Sequence, residues 1–209
     1  MITNLFPTPI YVHTPKFEEV FLVQQEIKNT IPKIFEGDNF SKPIGWEEDI
    51  TTNINHRWNT IKDYKLLNLE SYITKHVYQY INQVTPSLCK EVFLAHSWLN
   101  VTKKNQSQEW HAHTDSYISG VYYYQTTSKD GDLMIKNPVP FSQKGLFPAG
   151  LNVREQEHFT PSPGMLILFP GWLDHRVGVN TTNDKRVTVA FNWLTINEEK
   201  KGLIHEKTH

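Results

Sequence analysis

Trp110 to Tyr124 reads WHAHTDSYISGVYYY, and the chain is organised around this stretch together with a second one, Phe169 to Trp193, FPGWLDHRVGVNTTNDKRVTVAFNW. In the first, His111, His113 and Asp115 alternate with Ala112 and Thr114, so on a β-strand all three side chains leave by one face. Three potential metal ligands then point the same way. The second stretch adds His175 and, further on, Arg186 at the head of an alternating run. Val187, Val189, Phe191 and Trp193 fall on one face of that run, and Thr188, Ala190, Asn192 and Leu194 on the other.

This combination suits a non-haem iron(II) site, in which two imidazoles and a carboxylate take one face of an octahedron and leave the other open. His113, Asp115 and His175 form such a set. Arg186 then has a matching role, because a 2-oxoglutarate that chelates the metal through its keto acid end presents a second carboxylate, which a planar guanidinium holds bidentately. Thr188 shares a strand face with Arg186 and can donate a further hydrogen bond. An H-x-D tripeptide alone carries little weight, because histidine and aspartate scatter through soluble proteins. The joint pattern of His-x-His-x-Asp, a distal His in FPGWLDH and an Arg inside a strand carries more.

The same residues resemble a known family. LFPTPIY at Leu5–Tyr11, the Trp-x-Asn of Trp98–Asn100, HAHTDSYISGVYYY from His111, GMLILFPGWLDHRVGVN at Gly164–Asn180 and KRVTVAFNW at Lys185–Trp193 are together similar to the iron(II) and 2-oxoglutarate dependent oxygenase superfamily. Within it they resemble a group of bacterial and phage oxygenases, mostly without an assigned substrate. The likeness is best from about Leu94 onward and poor between Phe17 and Val84. It implies a mainly β fold, a double-stranded β-helix (jelly-roll, cupin-like) core packed against two N-terminal helices, with His113 brought beside His175. It also implies Fe(II), 2-oxoglutarate and O2, with ascorbate as a stimulant, and hydroxylation coupled to formation of succinate and CO2. Tyr122, which shares a strand face with Tyr124, and Asn100 are then candidates to bind the 2-oxoglutarate carboxylate alongside Arg186 and Thr188.

The chain departs from the group at Thr114, where proline is the regular residue, and the position of Asp115 is not regularly an acid there. The first-strand pair is therefore either His113 with Asp115 or His111 with His113. Strand parity does not separate them. The charge and hardness of iron(II) favour the carboxylate of Asp115, while His113 and His175 belong to both sets.

A chain of 209 residues is long enough to bury a sizeable core. It reads as a single oxygenase-like domain: lead strand and support helices over 1–92, a β-helix core over 93–195 and a charged tail over 196–209. Phe17, Val20, Phe21, Ile27 and Ile31 follow helical spacing up to Pro32, and Leu66, Leu69, Ile73, Val77, Ile81 and Val84 do so up to Thr85-Pro86. Between them, Glu36 to Asp63 reads as a long loop with short strand pieces, in which Trp46 anchors the loop or lines a substrate mouth. His76 reads as a solvated helix residue. From Phe93 the period becomes two, placing Leu94, His96, Trp98 and Asn100 on one face.

A net charge of −1 advertises no extended nucleic-acid or membrane surface. The expected substrate is a small molecule or a side chain, shaped by Ser142–His158 and the Trp46 loop, and the apolar lead strand leaves a homodimer open. One cysteine, Cys89, excludes an intrachain disulfide and fits a reducing compartment, and no apolar run approaches the roughly 18 residues of a membrane span. A cytoplasmic location is expected. Two rival readings compete with the oxygenase: a cupin-like metalloenzyme that uses no 2-oxoglutarate, which has no need of a buried Arg186, and a non-catalytic accessory domain that keeps the fold.

Overall fold

The computed structural model describes residues 8–84, 91–138 and 155–195. Leu5 to Pro7, Cys89, most of the Ser142–His158 segment and the tail from Asn197 lie outside those residues.

Two antiparallel sheets carry the described strands. The larger one orders β1 (Tyr11–His13), β8 (Leu166–Pro170), β5 (Ile118–Gln125), β10 (Arg186–Thr195), β3 (Val92–Thr102) and β2 (Thr51–Thr52). The smaller orders β4 (Gln108–His111), β9 (His175–Val177), β6 (Leu133–Lys136) and β7 (Gln156–Phe159). Tyr123, Ile167 and Phe169 of the large sheet pack against Leu133 and Ile135 of the small one, so the sheets stack face to face. This is the expected jelly-roll.

The outer face of the large sheet is covered by two helices, α1 (Phe17–Gly37) and α3 (Leu67–Val84), with the single turn α2 (Thr60–Asp63) between them. Val187, Val189, Phe191 and Trp193 of β10 meet Ile27, Leu69, Ile73 and Val77 in one apolar cluster. The alternation read along β10 therefore has a physical cause: odd positions bury against the helices and even positions face the second sheet.

Three local features differ from the sequence reading. Helix α1 runs through Pro32 and ends at Gly37, because Ile34, two residues past the proline, is fully buried on the same face as Val20, Val23 and Ile27. That burial outweighs the hydrogen bond which proline cannot make. Phe17 and Phe21, expected in its apolar stripe, are exposed.

His76 is buried rather than solvated, with 1 % exposure. Along β3 the parity slips, since the register with β10 shifts between Asn192 and Trp193. Leu94 consequently joins the helix-facing cluster while Trp98 and Asn100 face the other sheet. The stretch from 36 to 63 is ordered around Asp38, whose carboxylate accepts from the Asn53 amide at 2.6 Å, Arg57 Nε at 2.7 Å and the Tyr64 hydroxyl at 2.8 Å.

Candidate metal centre

His111 is the last residue of β4 and lies directly across the ladder from His175, the first residue of β9. His113 follows after the strand has ended. Its backbone N–H donates to the Gly171 carbonyl at 2.8 Å, and its own carbonyl accepts from Ser116 N–H at 2.9 Å, closing a turn over Thr114 and Asp115. A Cβ on Gly171 would run into the carbonyl oxygens of Ser116 and His113, so glycine is what lets the FPGW loop lie against this turn.

The three imidazoles converge: ring centroids lie 4.2 Å apart for His111 and His175, 5.1 Å for His111 and His113, and 5.2 Å for His113 and His175. One ring nitrogen from each falls within 4.8 Å of the others. Asp115 does not join them. It stands exposed at the turn, because β4 stops at His111 and the expected strand does not continue through the acid. Its charge still bears on His113 and His96, whose protonated forms it favours.

Hydrogen bonds fix which nitrogen faces inward for two of the rings. His175 Nδ1–H donates to the Leu173 carbonyl at 2.9 Å and His111 Nδ1–H to the Glu109 carbonyl at 2.8 Å, leaving both Nε2 atoms free to ligate. Gln108 lies 3.0 Å from His111 Nε2 and would have to yield that nitrogen to a metal. Burial pushes all three imidazoles below their ordinary pKa, His113 to about 4 and His175 well down, and at His113 and His175 the neighbouring rings add to the effect. Neutral imidazoles are the form that binds a cation. The donor set fits a divalent first-row metal, with nitrogen ligands throughout where the sequence offered a carboxylate as an option.

Arg186 lines the same cavity, 3 % exposed. Its Nη1 donates to the carbonyls of Asp130 and Gly131 at 2.9 and 2.8 Å, and Nη2 to the Thr102 hydroxyl at 3.0 Å. Gly131, at φ +101°, has no room for a Cβ against the Gly178 carbonyl, which lets this loop close on the guanidinium. Nε–H is buried and without a partner among the described residues. An orphaned donor on a buried cation points to an absent acceptor.

Thr188 and Asn100, paired across β10 and β3, line the cavity between Arg186 and the histidines. Tyr122 does not. It lies on the helix-facing side, accepting from the Gln24 amide at 2.9 Å and meeting Tyr72 edge-on, and Tyr124 packs on that side too. Tyr123 is the tyrosine that faces the cavity, opposite Thr188, with Arg186 close enough to favour its ionised form against the stronger effect of burial.

Sequence reasoning also missed Gln108, Trp98 and Phe169, all of which border the cavity. Trp98 carried a signal in its Trp-x-Asn spacing; Gln108 carried none. Trp46, on the 36–63 segment, lies 5.5 Å from the His111 ring and half-buried, while Glu109 holds its loop by accepting from the N–H groups of Glu47 and Glu48, each at 2.7 Å.

With this geometry in view, the likeness to known proteins is specific. Residues 96–192, which contain all three histidines and Arg186, match the model of a family described as "Putative 2OG-Fe(II) oxygenase". That segment, somewhat less than half of the chain, is similar to the 2OG-Fe(II) oxygenases, a class of oxidoreductases. Among curated proteins no sequence matches.

The fold is shared with solved structures at low identity. A prolyl-4-hydroxylase from Pseudomonas putida aligns with TM-score 0.60 at 12 % identity over 91 % of this chain and 94 % of its own. HygX from Streptomyces hygroscopicus, solved with nickel and 2-oxoglutarate bound, gives 0.58 at 12 % over 90 % and 83 %. A prolyl hydroxylase from Trichoplax adhaerens, in complex with a hypoxia inducible factor peptide fragment, gives 0.57 at 10 % over 93 % and 86 %.

Proposed function

We propose that the chain uses Fe(II) and 2-oxoglutarate to hydroxylate a C–H bond of a small molecule or an exposed side chain, converting 2-oxoglutarate and O2 to succinate and CO2. The observation that carries this reading is the pairing, within one cavity, of three neutral imidazoles with a buried guanidinium whose Nε–H lacks an acceptor among the described residues.

His111, His113 and His175 would hold the metal, which when bound supplies the activation of dioxygen. Arg186 grips the distal carboxylate of the cosubstrate through Nε–H and the adjoining Nη2, the edge of the guanidinium that its carbonyl partners leave open. Thr188, Asn100 and Tyr123 line the same cavity and would donate to the same anion. Trp98, Phe169 and Val177 wall the cavity and keep water from it. HygX, solved with nickel and 2-oxoglutarate bound, supports the assignment by likeness of fold.

A second reading, in which Arg186 is a structural strut in a metal site without cosubstrate, draws on its bonds to Asp130, Gly131 and Thr102. It leaves the Nε–H unexplained. Anaerobic titration of 2-oxoglutarate into iron-loaded protein separates the two. The oxygenase reading expects a visible charge-transfer band that saturates, and succinate release once air is admitted; no band and no binding would sink it. Arg186→Lys keeps a cation but loses the planar fork, so it should retain iron and weaken 2-oxoglutarate by about 30-fold or more, as expected from roughly 2 kcal/mol for a charge-assisted bidentate pair.

A further inference from the structure

A second cluster lies on the helix side of the large sheet, away from the cavity, where β1, α1 and α3 meet. His13 comes from β1, Glu19 from the first turn of α1 and His76 from the middle of α3. His13 Nε2 lies 3.1 Å from both carboxylate oxygens of Glu19, His76 Nε2 lies 3.5 Å from Oε1, and the two imidazole rings stack 4.3 Å apart. All three ligand atoms fall within 4.8 Å of one another.

The protons around His76 make this more than a surface ion pair. Tyr11 donates its hydroxyl proton to Gln79 Oε1 at 2.9 Å, so its oxygen accepts from His76 Nδ1–H at 2.7 Å. A neutral His76 in that tautomer carries a bare lone pair on Nε2. That atom is buried, has no hydrogen-bond partner among the described residues, and faces a carboxylate oxygen.

The hydroxyl of Tyr72, whose ring packs edge-on against His76, is also buried and without a partner among the described residues. Lys75 reaches Glu19 at 3.5 Å from an exposed position.

We propose that His13, Glu19 and His76 form a second metal site, for a zinc-class divalent cation, which clamps the opening strand to the two helices. Ligands about 2.0–2.1 Å from a tetrahedral ion sit roughly 3.3 Å apart, and the observed 3.1 and 3.5 Å bracket that edge. The cation turns the opposed lone pair and carboxylate into two ligands of one centre. His13 and Glu19 are part-exposed, so the ion enters from solvent and keeps water in its fourth position.

The test uses the full chain with both His113 and His175 changed to alanine, so that the cavity no longer holds metal, dialysed with zinc and assayed by elemental analysis and thermal melting. This variant is expected to keep one equivalent of zinc and to melt higher with zinc than without. Adding His13→Gln or, separately, Glu19→Gln should abolish both the equivalent and the rise, while circular dichroism of the metal-free protein stays unchanged. Zinc absent from the background variant, or zinc and its thermal shift persisting through both substitutions, overturns the proposal.

Discussion

At the scale of single residues, the centre depends on where one short strand ends. β4 stops at His111, and the turn over Thr114 and Asp115 swings the third ring in beside the other two while leaving the acid in solvent. His111→Ala is therefore expected to lose iron, and Asp115→Ala to retain at least one equivalent when both are dialysed anaerobically and their iron counted; the opposite order would return the carboxylate to the centre. Gly171→Ala forces its new methyl onto the carbonyls that hold the turn. It should weaken iron binding about 10-fold or more even though it removes no ligand, as read by competition with a chromogenic chelator.

Which residues converge was partly legible beforehand. His113, His175, Arg186, Thr188 and Asn100 were readable because their chemistry is distinctive and β10 alternates without interruption up to Asn192. The Tyr122 expectation fails by one position, since nothing in VYYY marks which tyrosine faces the cavity. Asp115 could not be separated from His111 because a strand end leaves no trace in an alternating H-x-H-x-D.

At the scale of elements, helix α1 and the segment after it show how local preference yields to packing. Pro32 breaks the hydrogen-bond ladder of α1, yet Ile34 is anchored beyond it. Pro32→Ala should restore the missing bond and raise stability by about 1–2 kcal/mol, the cost of an internal proline less the freedom returned to the unfolded chain, measured by urea unfolding. A destabilised variant would show that the proline matches a bend the helix needs.

Periodicity exposed both long helices, but it misassigned Phe17 and Phe21, because an aromatic on the solvent face and one on the core face look alike in sequence. The Glu36–Asp63 stretch was readable only as a loop. What orders it is a buried carboxylate, invisible without the fold. Burial raises the Asp38 carboxyl, and the hydrogen bonds from Arg57, Asn53 and Tyr64 with the Arg57 charge lower it by more, so its folded pKa sits below the usual value. Its contribution is then present above about pH 4 and lost as pH falls through the folded value. Asp38→Asn should cost about 1.5–3 kcal/mol at pH 7, because Arg57, part-exposed and still near Asp63, loses its shorter charge-assisted bonds, and the gap to wild type should close as both are melted at successively lower pH. A gap that stays constant down to about pH 2 would mean the carboxylate is not the source.

At the scale of the whole molecule, the large sheet keeps two physical problems apart. Its helix-facing side holds Leu99, Val189 and Ile73 in an apolar cluster with 0 % exposure each, while its other side presents Arg186, Thr188 and Asn100 to the cavity. Neighbours in sequence along β10 thus answer to different neighbours in space, and a substitution on one face need not disturb the other. Ile73→Ala opens a void among helix side chains and should lower stability by about 2–5 kcal/mol, with 2-oxoglutarate affinity of the folded fraction unchanged. Thr188→Val keeps the shape and removes one hydroxyl, so stability should move by less than about 1 kcal/mol while 2-oxoglutarate binds several-fold more weakly. Measuring chemical denaturation and cosubstrate titration on both variants gives four numbers that should fall in a crossed pattern. If Ile73→Ala weakens cosubstrate binding as much as Thr188→Val does, the sheet transmits strain between its faces, and the cavity geometry depends on the helix packing behind it.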